Sequence, residues 1–293
     1  MKKKIIPFTA FLLIISCQKN NEKADAYGNF EATEIIVSSE SNGKIEFLNV
    51  EEGIQLKKGT LVGLVDTLQL YYNKEQLKAT IETVQAKSTA VQSEISVLNE
   101  QLKTAKIEQT RIKNMFAENA ATKRQVDEIE GKVKVIEKQI GSVQTQNAPI
   151  LNEIKSLKVQ IDKLDDQIKK ATIINPLEGT VLTKYAEPSE ITSFGKPLYK
   201  IANLHEMELR VYFTETQLAQ LKIGQKVNVS IDAEQGIKTY DGTITWISAQ
   251  AEFTPKVIQT REERANLVYA VKVAVKNEGS IKIGMPAEVR LTN

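Results

Sequence analysis

The chain has 293 residues, 41% hydrophobic and 26% charged, with a net charge of +2, one tryptophan, one histidine and one cysteine. That length allows two or three small domains, and the composition suits folded domains with much solvated helix surface. A balance so close to neutral excludes nucleic-acid binding driven by net charge, and a single cysteine excludes any disulfide within the chain.

The first residues read as an address. Lys2, Lys3 and Lys4 form a positive n-region, and Ile5 to Ile15 an apolar run too short to span a bilayer. Removing residues 1–16 as a signal peptide leaves 36 basic against 37 acidic residues. The run ends at Ile14-Ile15-Ser16-Cys17, which resembles a bacterial lipobox. The resemblance implies cleavage before Cys17 and its lipidation, and more than one acyl chain is what stable anchoring needs. Residues 17–26 are polar and read as a lipidated tether. Residues 27–68 are expected to hold a first β segment and the first half of a β domain.

Two stretches, 35–66 and 172–202, share one spacing. Gly43, Gly53 and Gly59 in the first correspond to Gly179, Ser189 and Gly195 in the second. The apolar positions correspond too: Ile45 with Val181, Val62 with Leu198, Val65 with Ile201. Residues 171–203 are therefore expected to complete the domain opened before residue 69.

Residues 69–170 between the halves read as a helical hairpin. From Leu77, a three-then-four step lands on Ile81, Val84, Ser88, Val91, Ile95, Leu98, Leu102, Ala105, Gln109, Ile112 and Phe116, ten apolar residues in twelve positions. The second arm runs Val126, Ile129, Val133, Ile136, Ile140, Val143, Asn147, Ile150, Ile154, Leu157, Ile161, Leu164 and Ile168, twelve in thirteen. A period of 3.5 sustained this long predicts coiled-coil packing. Each arm would be on the order of 70 Å long. The tip falls near 118–122, where Thr122-Lys-Arg-Gln125 reads as a capping box. Pro149 should disturb the second arm. The unbroken heptad phase favours one bent helix there, since a turn at 147–149 would make the arms unequal.

From residue 204 the pattern alternates. Strands are expected at Met207–Phe213, Lys226–Ile231, Gly242–Ser248, Leu267–Val275 and Ala287–Leu291, with a short helix from Thr214 to Leu221 and an exposed loop over Lys256–Arg264. Residues 204–293 then form a small β-barrel and a further membrane-proximal β region. Tyr27–Val37 could pair with the end of the chain in a separate β unit.

Gly43-x9-Gly53-x5-Gly59, the interrupting hairpin, Gly179-Thr-Val, Ile223-Gly224-Gln225-Lys226-Val227 and Gly284-Met285-Pro286 together resemble the HlyD-type membrane fusion proteins. The resemblance covers nearly all of the chain beyond Cys17. It implies an α+β chain: a split lipoyl-like β-sandwich interrupted by an antiparallel coiled-coil hairpin, then a β-barrel. Phe253-Thr-Pro-Lys256-x-x-Gln259-Thr-x-Glu262-x-Arg264-x-x-Leu267-Val-Tyr269-Ala-Val-Lys272-Val is similar to adaptors that serve ABC-type exporters. The family implies partners: an inner-membrane transporter, a TolC-like outer-membrane channel, further copies of the chain in a ring, and a Gram-negative cell membrane held through the lipid. Export of small molecules, or secretion, is the function implied. Family hairpin tips carry Arg, Leu four residues on and Ser seven beyond that. Arg111, Met115 and Thr122 stand at those spacings, with Met for Leu and Thr for Ser.

No cofactor, nucleic-acid partner or enzymatic activity is expected. A lipoyl or biotinyl carrier would present a lysine between its halves, where this chain has the hairpin. Lys44, Lys57 and Lys58 are misplaced for that role, His205 has no cysteine near it, and Asp162, Asp165 and Asp166 belong to the coiled-coil surface. Two rival readings share parts of the pattern: an adaptor of a proton-driven pump, and a lipid-anchored scaffold with no channel partner.

Overall fold

The computed structural model describes residues 24–234, 236–253 and 267–292. The signal segment, Cys17 and its tether up to residue 23, the loop over Lys256–Arg264 and residues 254–266 of the exporter-like run lie outside the described residues. The chain divides into two compact units: Glu34–Ala202, and the residues up to Thr33 together with those from Asn203.

Strand β1 (Ala26–Glu31) belongs to the second unit. In the first, β2 (Glu34–Ser38), β3 (Gly43–Leu48), β4 (Gln55–Leu56) and β5 (Leu61–Val65) precede the hairpin. It is built from α1 (Leu68–Ala117), α2 (Lys123–Thr145) and α3 (Asn147–Lys170). Strands β6 (Thr172–Ile174), β7 (Gly179–Lys184), β8 (Ile191–Thr192) and β9 (Pro197–Ala202) follow it. They make two four-stranded antiparallel sheets, β2-β9-β7-β4 and β6-β5-β3-β8. Each sheet mixes strands from both sides of the hairpin, so neither half can close alone. Ile45, Val62, Val65, Val181, Leu198 and Ile201 fill the space between them and are essentially inaccessible.

The halves bond to each other reciprocally. Gly53 N–H donates to the Val181 carbonyl at 2.9 Å, and Ser189 N–H, at the equivalent place, donates to the Ile45 carbonyl at 2.7 Å. Gly59 N–H donates to Asn175 and Gly195 N–H to Ser39, both at 2.8 Å. Gly59 and Gly195 turn with φ of 83° and 82°, Gly53 has 84°, and Ser189 adopts 74° in the same left-handed region. Gly43 and Gly179 serve close approach. A Cβ on Gly179 would stand 2.4 Å from the Ala202 carbonyl oxygen, and one on Gly43 would stand 3.0 Å from Val65 Cγ1.

One buried polar cluster seals the end of this core. Asn175 donates from Nδ2 to the carbonyls of Lys57 and Leu177, and Tyr199 donates its hydroxyl to Asn175 Oδ1 at 3.0 Å. Both residues are fully buried, and burial pushes the Tyr199 phenol up to about 12.

The hairpin follows the heptads. Ile81, Val84, Val91, Ile95 and Ala105 of α1 face Val126, Ile129, Val133, Ile136, Ile140 and Val143 of α2 and Ile154 of α3. At Pro149 the structure gives two helices rather than the single bent helix expected. The break is one residue, Gln146, and its backbone stays right-handed helical at φ −70°, ψ −21°. Proline has no N–H for the Thr145 carbonyl and its ring crowds that oxygen, so the ladder fails locally while the path runs on. The polar seam residues find each other at this level: Ser88 Oγ donates to Asn147 Oδ1 at 2.7 Å. Lys106–Glu137 and Lys113–Glu130 flank the seam at 2.9 and 2.8 Å. They are half-exposed, so solvent screens them and they add little to the seam.

The second unit is a closed six-stranded barrel. Its other strands are β10 (Glu206–Thr214), β11 (Lys226–Ala233), β12 (Gly236–Ile247), β14 (Leu267–Lys276) and β15 (Pro286–Leu291), with the short helix α4 (Glu215–Leu218) after β10 and β13 (Glu252–Phe253) added beside β14. The order β10-β1-β15-β11-β12-β14 returns to β10. Met207, Leu209, Val211 and Phe213 alternate inward from β10 against Phe30, Val229, Ile244 and Val273. The early strand does pair with the end of the chain, Tyr27 against Glu288, but it also pairs with β10, Tyr27 against Tyr212. It is thus a stave of the barrel and not a separate unit. Strand β12 begins six residues before the expected Gly242, because Lys238-Thr-Tyr-Asp241 carries no apolar alternation.

Two outcomes test this account. Gly179→Ala should cost about 2 kcal/mol through backbone displacement, a fall of roughly 4–8 °C in thermal unfolding. Gly53→Ser, which copies Ser189, should cost less than half of that; equal losses would refute the division between close approach and turn conformation. The second concerns alkaline pH. The folded Tyr199 phenol lies above its ordinary value of 10.0, so its contribution is complete below about pH 10 and is lost as pH rises toward 12. Tyr199→Phe should lower stability at pH 7 by about 1–2 kcal/mol by stranding Asn175 Oδ1, and should flatten the decline between pH 10 and 12 seen in chemical denaturation.

Candidate functional site at the hairpin tip

Helix α1 ends in a complete Schellman motif. Asn119 takes φ 59°, its N–H donates to the Phe116 carbonyl at 3.1 Å, and Ala120 N–H donates to the Met115 carbonyl at 2.8 Å. Asparagine tolerates the left-handed region better than other side-chain-bearing residues. Two residues on, Thr122 opens α2 with a reciprocal cap. Gln125 N–H donates to Thr122 Oγ1 at 3.3 Å, and Thr122 N–H donates to Gln125 Oε1 at 2.7 Å. The Thr122 hydroxyl donates to the same Oε1 at 2.9 Å. Its donor and one lone pair are therefore spent inside the loop.

Arg111 and Met115 stand one helical turn apart on one face. The Arg111 side chain is 72% exposed, and its one ion pair among the described residues is to Glu108 at 3.4 Å. A contact so long and so wet holds the guanidinium weakly. Met115 is 40% exposed. The structure thus puts Arg111 and Met115 together and free, and Thr122 across the loop and occupied.

Two further apolar residues near the tip are exposed, Ile107 on the same face and Phe116 on the seam side of the helix. Ile107, one turn before Arg111, is 66% exposed, and Phe116, expected in the seam, is 42% exposed. The seam closes early because α2 starts at Lys123 and its first buried residue is Val126, leaving nothing opposite Phe116 to cover it. Ile107, off the heptad register and apolar without a partner, was the signal available in the sequence. Close by, Lys113 Nζ bonds Glu130 and holds its carboxyl below the usual range, and Asp127 raises the Lys123 ammonium in the same way.

Thr122→Ala should destabilise the tip by about 1 kcal/mol while Thr122→Ser preserves the cap. Hydrogen exchange at the amides of 123–126 reads the difference. Similar protection in both variants would mean that the capping box does not hold the turn.

No family model matches the sequence. A UPF0194 membrane protein of Enterobacter sp. (strain 638) is 24% identical, with 100% of this chain and 98% of that protein aligned. Among solved structures, MacA from Actinobacillus actinomycetemcomitans superposes with a TM-score of 0.61 at 20% identity, covering 90% of this chain and 76% of that one. The membrane fusion protein Spr0693 from Streptococcus pneumoniae R6 gives 0.52 at 17% identity, covering 91% and 97%.

Proposed function

We propose that this chain, an HlyD-type membrane fusion protein by its fold, is a periplasmic adaptor that links an inner-membrane exporter of the ABC type to a TolC-like outer-membrane channel. The observation that carries this reading is the free tip. A long capped hairpin, rooted in a β unit that cannot close without it, ends in a weakly tethered arginine and exposed apolar side chains. An arginine fork suits the carbonyls and carboxylates at the end of a partner helix, and methionine supplies an adaptable apolar contact. In this reading Arg111 and Met115 dock the channel, Thr122 shapes the loop that presents them, and Cys17 carries the lipid that anchors the other end. Several copies surround a conduit lined by the lipoyl-like units, and the cargo is small molecules. The exporter-like run from Phe253 to Val273 supports the ABC assignment over a proton-driven pump.

Crosslinking from single cysteines at positions 111, 115 and 122 in cells, with Cys17 retained, tests this. Adducts of 111 and 115 with an outer-membrane channel protein are expected, with a weaker yield at 122. Arg111→Glu should reduce capture at 115 tenfold or more. Capture of nothing at the tip, and of no transporter from the β units, would overturn the adaptor reading in favour of a plain anchored scaffold.

A further inference from the structure

The outer wall of the barrel carries a groove of about 610 Å³. Six of its side chains share one face by strand register. Leu209, Val211 and Phe213 of β10 point inward, so Tyr212 between them points out. Tyr27 of β1 stands opposite Tyr212 and, on its other side, opposite Glu288 of β15. Ser230 of β11 is the next across from Glu288. Asp232, two residues on, keeps the same face and stands opposite Ile237 of β12. The tyrosines thus bound one side of the groove and Ile237 the other. Ser230, only 5% exposed, lies low between them. Tyr27 is 58% and Ile237 63% exposed, a large apolar surface for a wall that an antiparallel barrel ordinarily keeps polar.

The charge in the groove has one sign. No lysine or arginine lines it. Asp232 has no ion pair among the described residues, and Glu288 has one, to Arg290 at 3.9 Å, too long to hold it firmly. The cations close by in the fold face other partners. Arg210, 6.0 Å from the Tyr212 ring, is held by both oxygens of Glu252 at 2.8 and 2.9 Å. Lys238, next to Ile237, sets its ammonium 4.8 Å over the Tyr240 ring and 3.3 Å from Ser280 Oγ. Lys282 belongs to the turn before β15 and is not among the lining residues.

We propose that this groove binds amphipathic organic cations, small molecules with an apolar body and a quaternary or protonated nitrogen. The body lies along Tyr27, Tyr212 and Ile237, and the nitrogen sits between Asp232 and Glu288. Tyrosine faces attract a cation and also cover hydrocarbon, and the volume is that of sites for drug-sized molecules. An anion of the same shape would meet two carboxylates. A zwitterionic lipid headgroup would bring its phosphate to the same two groups, which disfavours it. The assignment rests on the reading that small molecules are the cargo, and it names their class and a place on the barrel that holds them.

A benzophenone carrying a trimethylammonium group, irradiated with the full-length chain in dodecyl maltoside, tests it. Adducts should map by mass spectrometry to the peptides holding Tyr27 and Ile237, saturate with probe concentration and be displaced by tetraphenylphosphonium. The same benzophenone carrying a sulfonate should label these peptides tenfold less. Asp232→Asn combined with Glu288→Gln should cut labelling by the cation tenfold or more, with an unchanged unfolding temperature. Tyr27→Phe should keep the labelling, and Tyr27→Ser should lose most of it. Equal labelling by cation and sulfonate, adducts spread along the hairpin, or full labelling of the double variant would each overturn the proposal. Crosslinks from positions 111 and 115 to a channel, in a chain that no cation labels at the barrel, would leave the adaptor reading standing without this site.

Discussion

The fold of the first unit depends on hydrogen bonds that cannot form until the chain has gone out and come back. Gly53 N–H needs the Val181 carbonyl, and Ser189 N–H needs that of Ile45. Both sheets take strands from each side of the hairpin, so the two arms must bring their ends to one place. An open loop of that length would carry a closure cost that grows with its logarithm. A coiled coil removes most of the problem, since each turn zipped from the tip brings the next pair of positions together. The pair at the base, Lys74 and Asp165, already spans the arms. Symmetry of the β halves and equality of the arms are then one constraint seen twice.

The hairpin is stabilised unevenly. Between Val91 and Val143 its seam is a run of buried aliphatic residues, each worth about 1.5–3 kcal/mol when fully covered. At Ser88 and Asn147 the seam becomes polar, and close by the helix ladder breaks ahead of Pro149. A half-buried polar pair costs stability relative to two aliphatics and favours one register, because a slipped alignment sets a donor or an acceptor against hydrocarbon. Register matters more here than in a free coil, since a one-heptad slip would displace the second β half from the first.

Much of this was legible in the chain. The glycine spacing located both halves, the heptads located both arms, and Thr122 with Gln125 located the turn. What escaped had specific causes. The spacing matches Ser189 with Gly53, but nothing local to a serine marks the left-handed backbone it adopts. Ser88 and Asn147 looked like two separate defects, because their pairing depends on the register between arms. Strand β1 was visible as a strand, but period-two alternation says nothing about its partners, and the barrel closes through it. Phe116 kept the heptad phase and lost its cover because the opposite arm starts too late.

At the tip, the same bookkeeping of contacts separates what serves the fold from what is left over. Thr122, Gln125 and Asn119 are consumed by capping, and the Met115 carbonyl is consumed with them. The Met115 side chain, the Arg111 guanidinium, Ile107 and Phe116 are not. A fold gains little by leaving three large apolar groups and a weakly tethered cation within about two and a half turns of one helix, at a cost in water-exposed hydrocarbon. Residues that satisfy the turn would be chosen for the same reasons in any hairpin of this shape. Those left exposed among the described residues are the ones the proposed docking draws on, so under that proposal the specificity of this tip resides in the end of α1 more than in the cap that opens α2.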